Sequence, residues 1–288
     1  MYARIRDTTL YFDVEGPGLV ADGPTMVERP AAFVLHGGPG GDHAGLRPVF
    51  SPFADQVQLV YLDHRGQGRS ARGPQHTYTL ENNVEDMEAL RRHLGLDTII
   101  VIGVSYGGMV ALSYAVRYPQ HVAACLPIVT TAHGGFIARA RQILAERGTP
   151  EQQRVAAPLW EGAFTSEAQL REYYAVMGPL YSVRYDAEAA ALNAARTIHS
   201  YEALNEGFGG FLRTYDVSAQ LGVITAPTLV LGGRQDWICP PELSEEIARG
   251  IPNARLQIFE QSSHRLWADE PEAFQAAVRA FLQDVGRA

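Results

Sequence analysis

The pentapeptide Gly103-Val104-Ser105-Tyr106-Gly107 constrains this chain more than any other stretch. It follows the apolar run Thr98-Ile99-Ile100-Val101-Ile102, which reads as a buried strand. It precedes Gly108-Met109-Val110-Ala111-Leu112-Ser113-Tyr114-Ala115, which reads as a helix. A serine at such a strand-to-helix turn is held strained and exposed, and small flanking residues let the backbone turn sharply. The tip also lies at a helix N-terminus, where backbone N–H groups favour developing negative charge. These are the conditions of a nucleophile. The competing reading is a tight turn with an incidental serine.

The flanking chain sets this turn in a larger pattern. Residues 2–14 alternate between apolar and polar and read as a hairpin, and Glu15 to Pro30, rich in Gly and Pro, reads as a loop. Short apolar runs at Ala31–Leu35, Val57–Leu62, Val122–Val129, Pro227–Leu231 and Arg255–Phe259 read as further strands. Between them lie helical patterns, such as Tyr78 to Leu94 with Thr79 as a plausible N-cap. Strands alternating with helices predict a parallel sheet covered on both faces, with ligands at the carboxyl ends of its strands. His36, Asp63 and Ser105 all follow strand ends, so their loops should gather at one edge.

The alternation stops near Thr131 and resumes after Tyr215. The intervening segment is helical in composition and dense in aromatics, which predicts a helical cap over the strand ends. The expected division is a core of residues 1–131 and 216–288 and a cap of residues 132–215. Gly207-Phe208-Gly209-Gly210-Phe211 reads as a flexible joint near the end of the cap.

With 288 residues, 46% hydrophobic and 19% charged, the chain has the composition of an ordinary globular protein. Its net charge of −8 argues against nucleic acid and anionic membrane as partners, both of which need basic patches. No apolar run is long enough for a transmembrane helix and no signal peptide is read, so the cytoplasm is the expected compartment. The two cysteines, Cys125 and Cys239, show no metal-ligand spacing and read as reduced thiols. The oligomeric state is not written in any of these features.

A serine nucleophile needs a base, and the base an orienting acid. His264 follows the last strand late in the chain, and Asp236 follows the strand before it, after Gly232-Gly233. Asp63 competes with Asp236, its alternative being a salt bridge to Arg65 or Arg69. The order Ser, Asp, His favours Asp236. His36 sits in His36-Gly37-Gly38-Pro39-Gly40, where a glycine cluster after a strand suits an oxyanion loop. His64 reads as a structural hydrogen-bonding residue, and His133 or His199 as cap histidines within reach of the pocket.

Together these stretches resemble the α/β-hydrolase fold superfamily, in its prolyl aminopeptidase (proline iminopeptidase)-like branch. The resemblance rests on His36–Gly40, Asp63-His64-Arg65-Gly66-Gln67-Gly68-Arg69-Ser70, Gly103–Gly108, Gly233-Arg234-Gln235-Asp236 and Ser263-His264. It implies an α/β fold with a mostly parallel central sheet, helices on both faces and a helical cap insertion. It also implies Ser105 as nucleophile, Asp236 as acid and His264 as base, with the N–H groups of Gly38 and Tyr106 as oxyanion hole. No cofactor or metal is implied, and the expected partner is a small-molecule or short-peptide substrate. The expected reaction is cleavage of a small ester or amide through an acyl-enzyme, with aminopeptidase-like release of an N-terminal residue as one form. An esterase or lactone hydrolase that needs no free amine is the alternative. A non-catalytic receptor on the same fold is a minor one, a carbon–carbon bond hydrolase sharing the triad stays open, and a dehalogenase would want aspartate at position 105. In such aminopeptidases cap carboxylates hold the substrate amine. Glu161, Glu167, Glu172, Glu188, Glu202 and Glu206 are the candidates here.

Overall fold

The computed structural model describes residues 1–286. Its strands are β1 (Tyr2–Ile5), β2 (Thr8–Glu15), β3 (Leu19–Asp22), β4 (Thr25–Glu28), β5 (Ala31–Leu35), β6 (Gln58–Leu62), β7 (Ile99–Val104), β8 (Val122–Ile128), β9 (Thr228–Gly233) and β10 (Ala254–Phe259). Its helices are α1 (Arg47–Phe50), α2 (Leu80–His93), α3 (Tyr106–Arg117), α4 (Phe136–Arg147), α5 (Pro150–Glu161), α6 (Glu167–Tyr181), α7 (Ala187–Ala194), α8 (Tyr201–Gly209), α9 (Pro241–Gly250), α10 (Leu266–Asp269) and α11 (Pro271–Val285).

Eight strands form one sheet in the order β1-β2-β6-β5-β7-β8-β9-β10. β1 and β2 form the expected antiparallel hairpin, and β2 pairs antiparallel with β6. From β6 to β10 every pairing is parallel. The central strands are buried on both faces, which is why they read as continuous apolar runs. Alternate residues serve opposite layers. Phe33, Leu35 and Val101 join Met87, Leu90, Val110 and Tyr114 of α2 and α3. Ala32, Val34, Ile100 and Ile102 join Phe50, Phe274 and Phe281 of α1 and α11.

Strand order positions the site. From β5 the chain goes to β6 on one side, then to β7 on the other side of β5. The loops leaving β5 and β7 therefore part company at their carboxyl ends and open a crevice, the usual ligand position in such sheets. Helices α4 to α8 all fall between β8 and β9. The ends of that segment meet, since His133 and Asp216 pair in an antiparallel bridge and Val217 N–H donates to Ala132 O at 2.8 Å.

Two local expectations are corrected. Within Glu15 to Pro30, β3 and β4 form a second hairpin, turning at Gly23 with φ +57°. Met26 and Val27 are exposed on it, so the hairpin buries no face and leaves no hydrophobic alternation to read. The joint expected over Gly207–Phe211 is instead the end of α8 and a following helical turn at Phe211–Arg213. Gly207 and Gly209 lie in α8, and a Cβ on Gly207 would sit 2.5 Å from Pro39 Cγ, so this glycine lets α8 approach the loop after β5. Among the described residues no helix is long and apolar enough to cross a membrane.

Candidate active site

Ser105 sits between β7 and α3 with φ +55° and ψ −119°, a region that non-glycine residues rarely occupy. Its neighbours compel that conformation. A Cβ on Gly103 would lie 2.2 Å from Gly107 O, and one on Gly107 would lie 2.2 Å from Leu35 O, so the turn closes only with glycine at both places. The Ser105 N–H donates to Ile128 O at 2.9 Å and Thr130 Oγ1 donates to Ser105 O at 2.7 Å. The turn is thus tied on both sides to the strand next to it.

Asp236 and His264 meet after β9 and β10. Asp236 is buried, and its Oδ1 accepts from the N–H groups of Ile238 (2.9 Å) and Cys239 (3.0 Å). Its Oδ2 accepts from His264 Nδ1 at 2.6 Å. With Nδ1 carrying the proton, Nε2 is left as a free acceptor. Ser105 and His264 line one cavity. No direct hydrogen bond joins them among the described residues, and such contacts are often loose without substrate.

The loop after β5 lies against Ser105, since a Cβ on Gly37 would sit 3.2 Å from Ser105 Cβ. Gly38 has φ +125°, and a Cβ there would lie 2.7 Å from Gly40 N, so only glycine fits this turn. His36 organises the loop from below. Its Nδ1 lies 2.8 Å from Gly37 O, and its Nε2 accepts from His64 N–H at 3.1 Å. Burial lowers the His36 pKa, which keeps the ring neutral and able to donate on one side while accepting on the other. Tyr106 N–H opens α3 beside this loop.

Pattern and geometry agree with a match to a family model described as "alpha/beta hydrolase fold", spanning residues 31–271. The chain belongs to the α/β-hydrolase family. Within it, this hydrolase is prolyl aminopeptidase-like. It is 32% identical over 263 residues to a protein named proline iminopeptidase from Pestalotiopsis fici, covering 89% of this chain and 92% of that one. Its fold is also that of a proline iminopeptidase from Mycobacterium smegmatis (TM-score 0.77, 22% identity, 99% and 98% covered). An esterase from Exiguobacterium antarcticum is equally similar in fold (TM-score 0.77, 19% identity, 98% of each chain).

The hydrolase's cavity holds about 640 Å³. Beyond Ser105 and His264 it is walled by Met109, Phe136, Leu159, Tyr173, Tyr181 and Phe208 among others. The walls thus draw on α3, α4, α5, α6 and α8. Tyr181 packs edge-on to His264 at 5.4 Å, and its hydroxyl meets that of Tyr173 at 2.9 Å. Of the six glutamates expected as candidate amine ligands, none lines the cavity among the described residues. Glu172 faces Arg154 at 2.6 Å, and Glu161 pairs with Arg141 and Arg213. His199 does line the cavity, whereas His133 bonds to Glu246 outside it.

Asp63 makes the expected ion pair with Arg69, at 3.8 Å, and has a further task besides. Its Oδ1 accepts from His43 Nδ1 (2.7 Å) and His43 N (2.9 Å), and its Oδ2 accepts from Arg69 N. Arg65 instead pairs with Asp86 and Asp7. Burial would raise the Asp63 pKa, but the hydrogen bonds from His43 and from the Arg69 N–H help to outweigh it, and the pKa falls. His64 is corrected too. Its backbone N–H bonds to His36, but both ring nitrogens are buried without a partner, and burial holds its pKa well below normal.

Sequence patterns gave no sign of Asp269. This buried residue of α10 accepts from Ser182 Oγ (2.6 Å), Arg184 N (2.9 Å) and Ser263 N (2.9 Å). Ser263 Oγ also donates to Leu180 O at 2.6 Å. The His264 loop is therefore clamped to the end of α6. An Asp269→Ala chain leaves three donors without their acceptor. It should lose about 3 kcal/mol of stability in chemical denaturation, at roughly 1 kcal/mol or more per lost bond. Its kcat should drop as the histidine loosens. A midpoint and kcat both equal to wild type would show that the clamp carries no weight.

Proposed function

We propose that this α/β hydrolase is a serine esterase acting on small acyl esters through an acyl-enzyme. Ser105 is the nucleophile, His264 the general base and Asp236 the acid that orients it. The backbone N–H groups of Gly38 and Tyr106 are the oxyanion hole, and residues 132–215 are a cap that shapes the substrate chamber over a core of 1–131 and 216–288. The observation that carries the ester reading is the chamber wall, which includes Met109, Phe136, Leu159, Tyr173, Tyr181 and Phe208 and three arginines but none of the six candidate glutamates. A substrate ammonium would be desolvated there with none of those glutamates to pair with, which is costly.

The proposed chemistry follows from the geometry. Ser105 Oγ attacks the ester carbonyl while His264 Nε2 takes its proton. Asp236 holds the Nδ1–H tautomer and stabilises the imidazolium that forms. The carbonyl oxygen gains charge and is received by the two backbone N–H groups. The tetrahedral adduct then collapses, and His264 returns the proton to the departing alkoxide. Water, deprotonated by the same Nε2, repeats the sequence on the acyl-enzyme and frees the acid.

The 32% identical relative supports a second reading, aminopeptidase action. Assaying prolyl p-nitroanilide, alanyl p-nitroanilide, p-nitrophenyl butyrate and an N-acyl homoserine lactone side by side separates the two. The ester reading predicts the highest kcat/KM on butyrate or lactone, by tenfold or more. A preference for the prolyl anilide of that size overturns it.

A further inference from the structure

Ester hydrolysis leaves three charged residues of the chamber without a task. Arg171 of α6, Arg184 of the α6–α7 connection and Arg265, next to His264, line the same cavity as Ser105. Among the described residues, Arg184 and Arg265 make no salt bridge and no side-chain hydrogen bond; the Arg184 backbone alone is engaged, by Asp269. Arg171 has one contact, with Glu167 at 3.6 Å. Two carboxylates reach the cavity, against three arginines. Asp42 pairs with Arg69 at 3.0 Å and accepts from Ala44 and Ile198 N–H, and Asp186 caps α7. A chain of net charge −8 thus shows a locally cationic wall beside its reactive serine.

A second observation is a ring stack that feels two of these arginines. His199, 7% exposed, stacks on Tyr174 at 5.4 Å and 18°, and both rings line the cavity. His199 Nδ1 is buried with no hydrogen-bond partner. Burial lowers the His199 pKa and the Arg171 charge lowers it further. Burial raises Tyr174 to about 12 against the opposing charge of Arg265. Both guanidinium charges are therefore felt at this one stack. Two unpaired arginines, a third whose one ion pair is the 3.6 Å contact to Glu167, and an unsatisfied imidazole suit an acid group, which accepts several charge-assisted hydrogen bonds at once.

We propose that the substrate carries a carboxylate remote from its scissile carbonyl, held by Arg171, Arg184 and Arg265 beside the Tyr174–His199 stack. This inference rests on the ester reading and narrows its substrate class. The same cations repel a substrate ammonium.

Two matched ester pairs test it and report which half bears the charge: p-nitrophenyl hemiglutarate against p-nitrophenyl pentanoate, and 4-carboxyphenyl acetate against phenyl acetate. In one pair the wild type should favour the anionic member in kcat/KM by about tenfold or more. That ratio should fall about ten- to a hundredfold in Arg265→Gln and in the exposed double variant Arg171→Gln/Arg184→Gln, the size of losing a hydrogen bond to a charged group. It should also shrink in 0.5 M NaCl. Glutarate binding by calorimetry is read apart from turnover and should weaken in the double variant. Ratios near one in both pairs, or ratios unmoved in both variants, overturn the inference while leaving ester hydrolysis standing. Glutarate binding that the arginine substitutions abolish, with no ester turned over by the wild type, supports the anion site and overturns the ester reading.

Discussion

Replacing Ser105 with alanine is expected to lower kcat on p-nitrophenyl butyrate by about 10⁶, the scale seen when a hydrolase of this type loses its nucleophile. The fold should survive. The Ser105 backbone is held by Ile128 O and Thr130 Oγ1, and neither contact uses the side chain that is lost. The close packing that bends the turn comes from Gly103 and Gly107, which stay in place. A Ser105→Ala chain with native circular dichroism and undiminished turnover would remove Ser105 from the chemistry.

The second large effect is Asp236→Asn. Asp236 Oδ1 faces two N–H donors, so the asparagine must turn its carbonyl oxygen there and its NH₂ toward His264. The NH₂ donates, which drives the histidine proton from Nδ1 to Nε2. The ring then presents an N–H where a free acceptor is needed. Loss of about 10⁴ in kcat is expected for this tautomer error, with little change in the surrounding structure. Part of the loss should return at high pH, where hydroxide replaces the missing base. A variant retaining more than a tenth of wild-type kcat would show that the Asp236–His264 bond does not set the tautomer.

The core and the three proposed triad residues were legible because each depends on local signals. Buried parallel strands leave continuous apolar runs; Ser105 follows β7 directly, and Asp236 and His264 lie three and five residues past the ends of β9 and β10. The strained serine turn announces itself through Gly103 and Gly107, which no other residue can replace there. What stayed hidden depends on partners distant in sequence. Asp63 and His43 are 20 residues apart, with no strand-end pattern at His43 to mark the pair. Asp269 reaches Ser182 across 87 positions, and its short helix carries no periodicity. The β3–β4 hairpin buries neither face and so left no alternation. The chamber wall was the least legible part. Tyr173, Tyr174 and Tyr181 stood out as aromatics, but packing between α6, α7 and the His264 loop decides that they line the cavity.

The central claim is that one serine forms the covalent acyl intermediate. Intact-mass and peptide mass spectrometry after treatment with a fluorophosphonate test it most directly. The account predicts a single adduct, on the peptide containing Ser105, formed slowly in His264→Ala and absent in Ser105→Ala. An adduct on another residue, or one that persists in Ser105→Ala together with turnover, would contradict it.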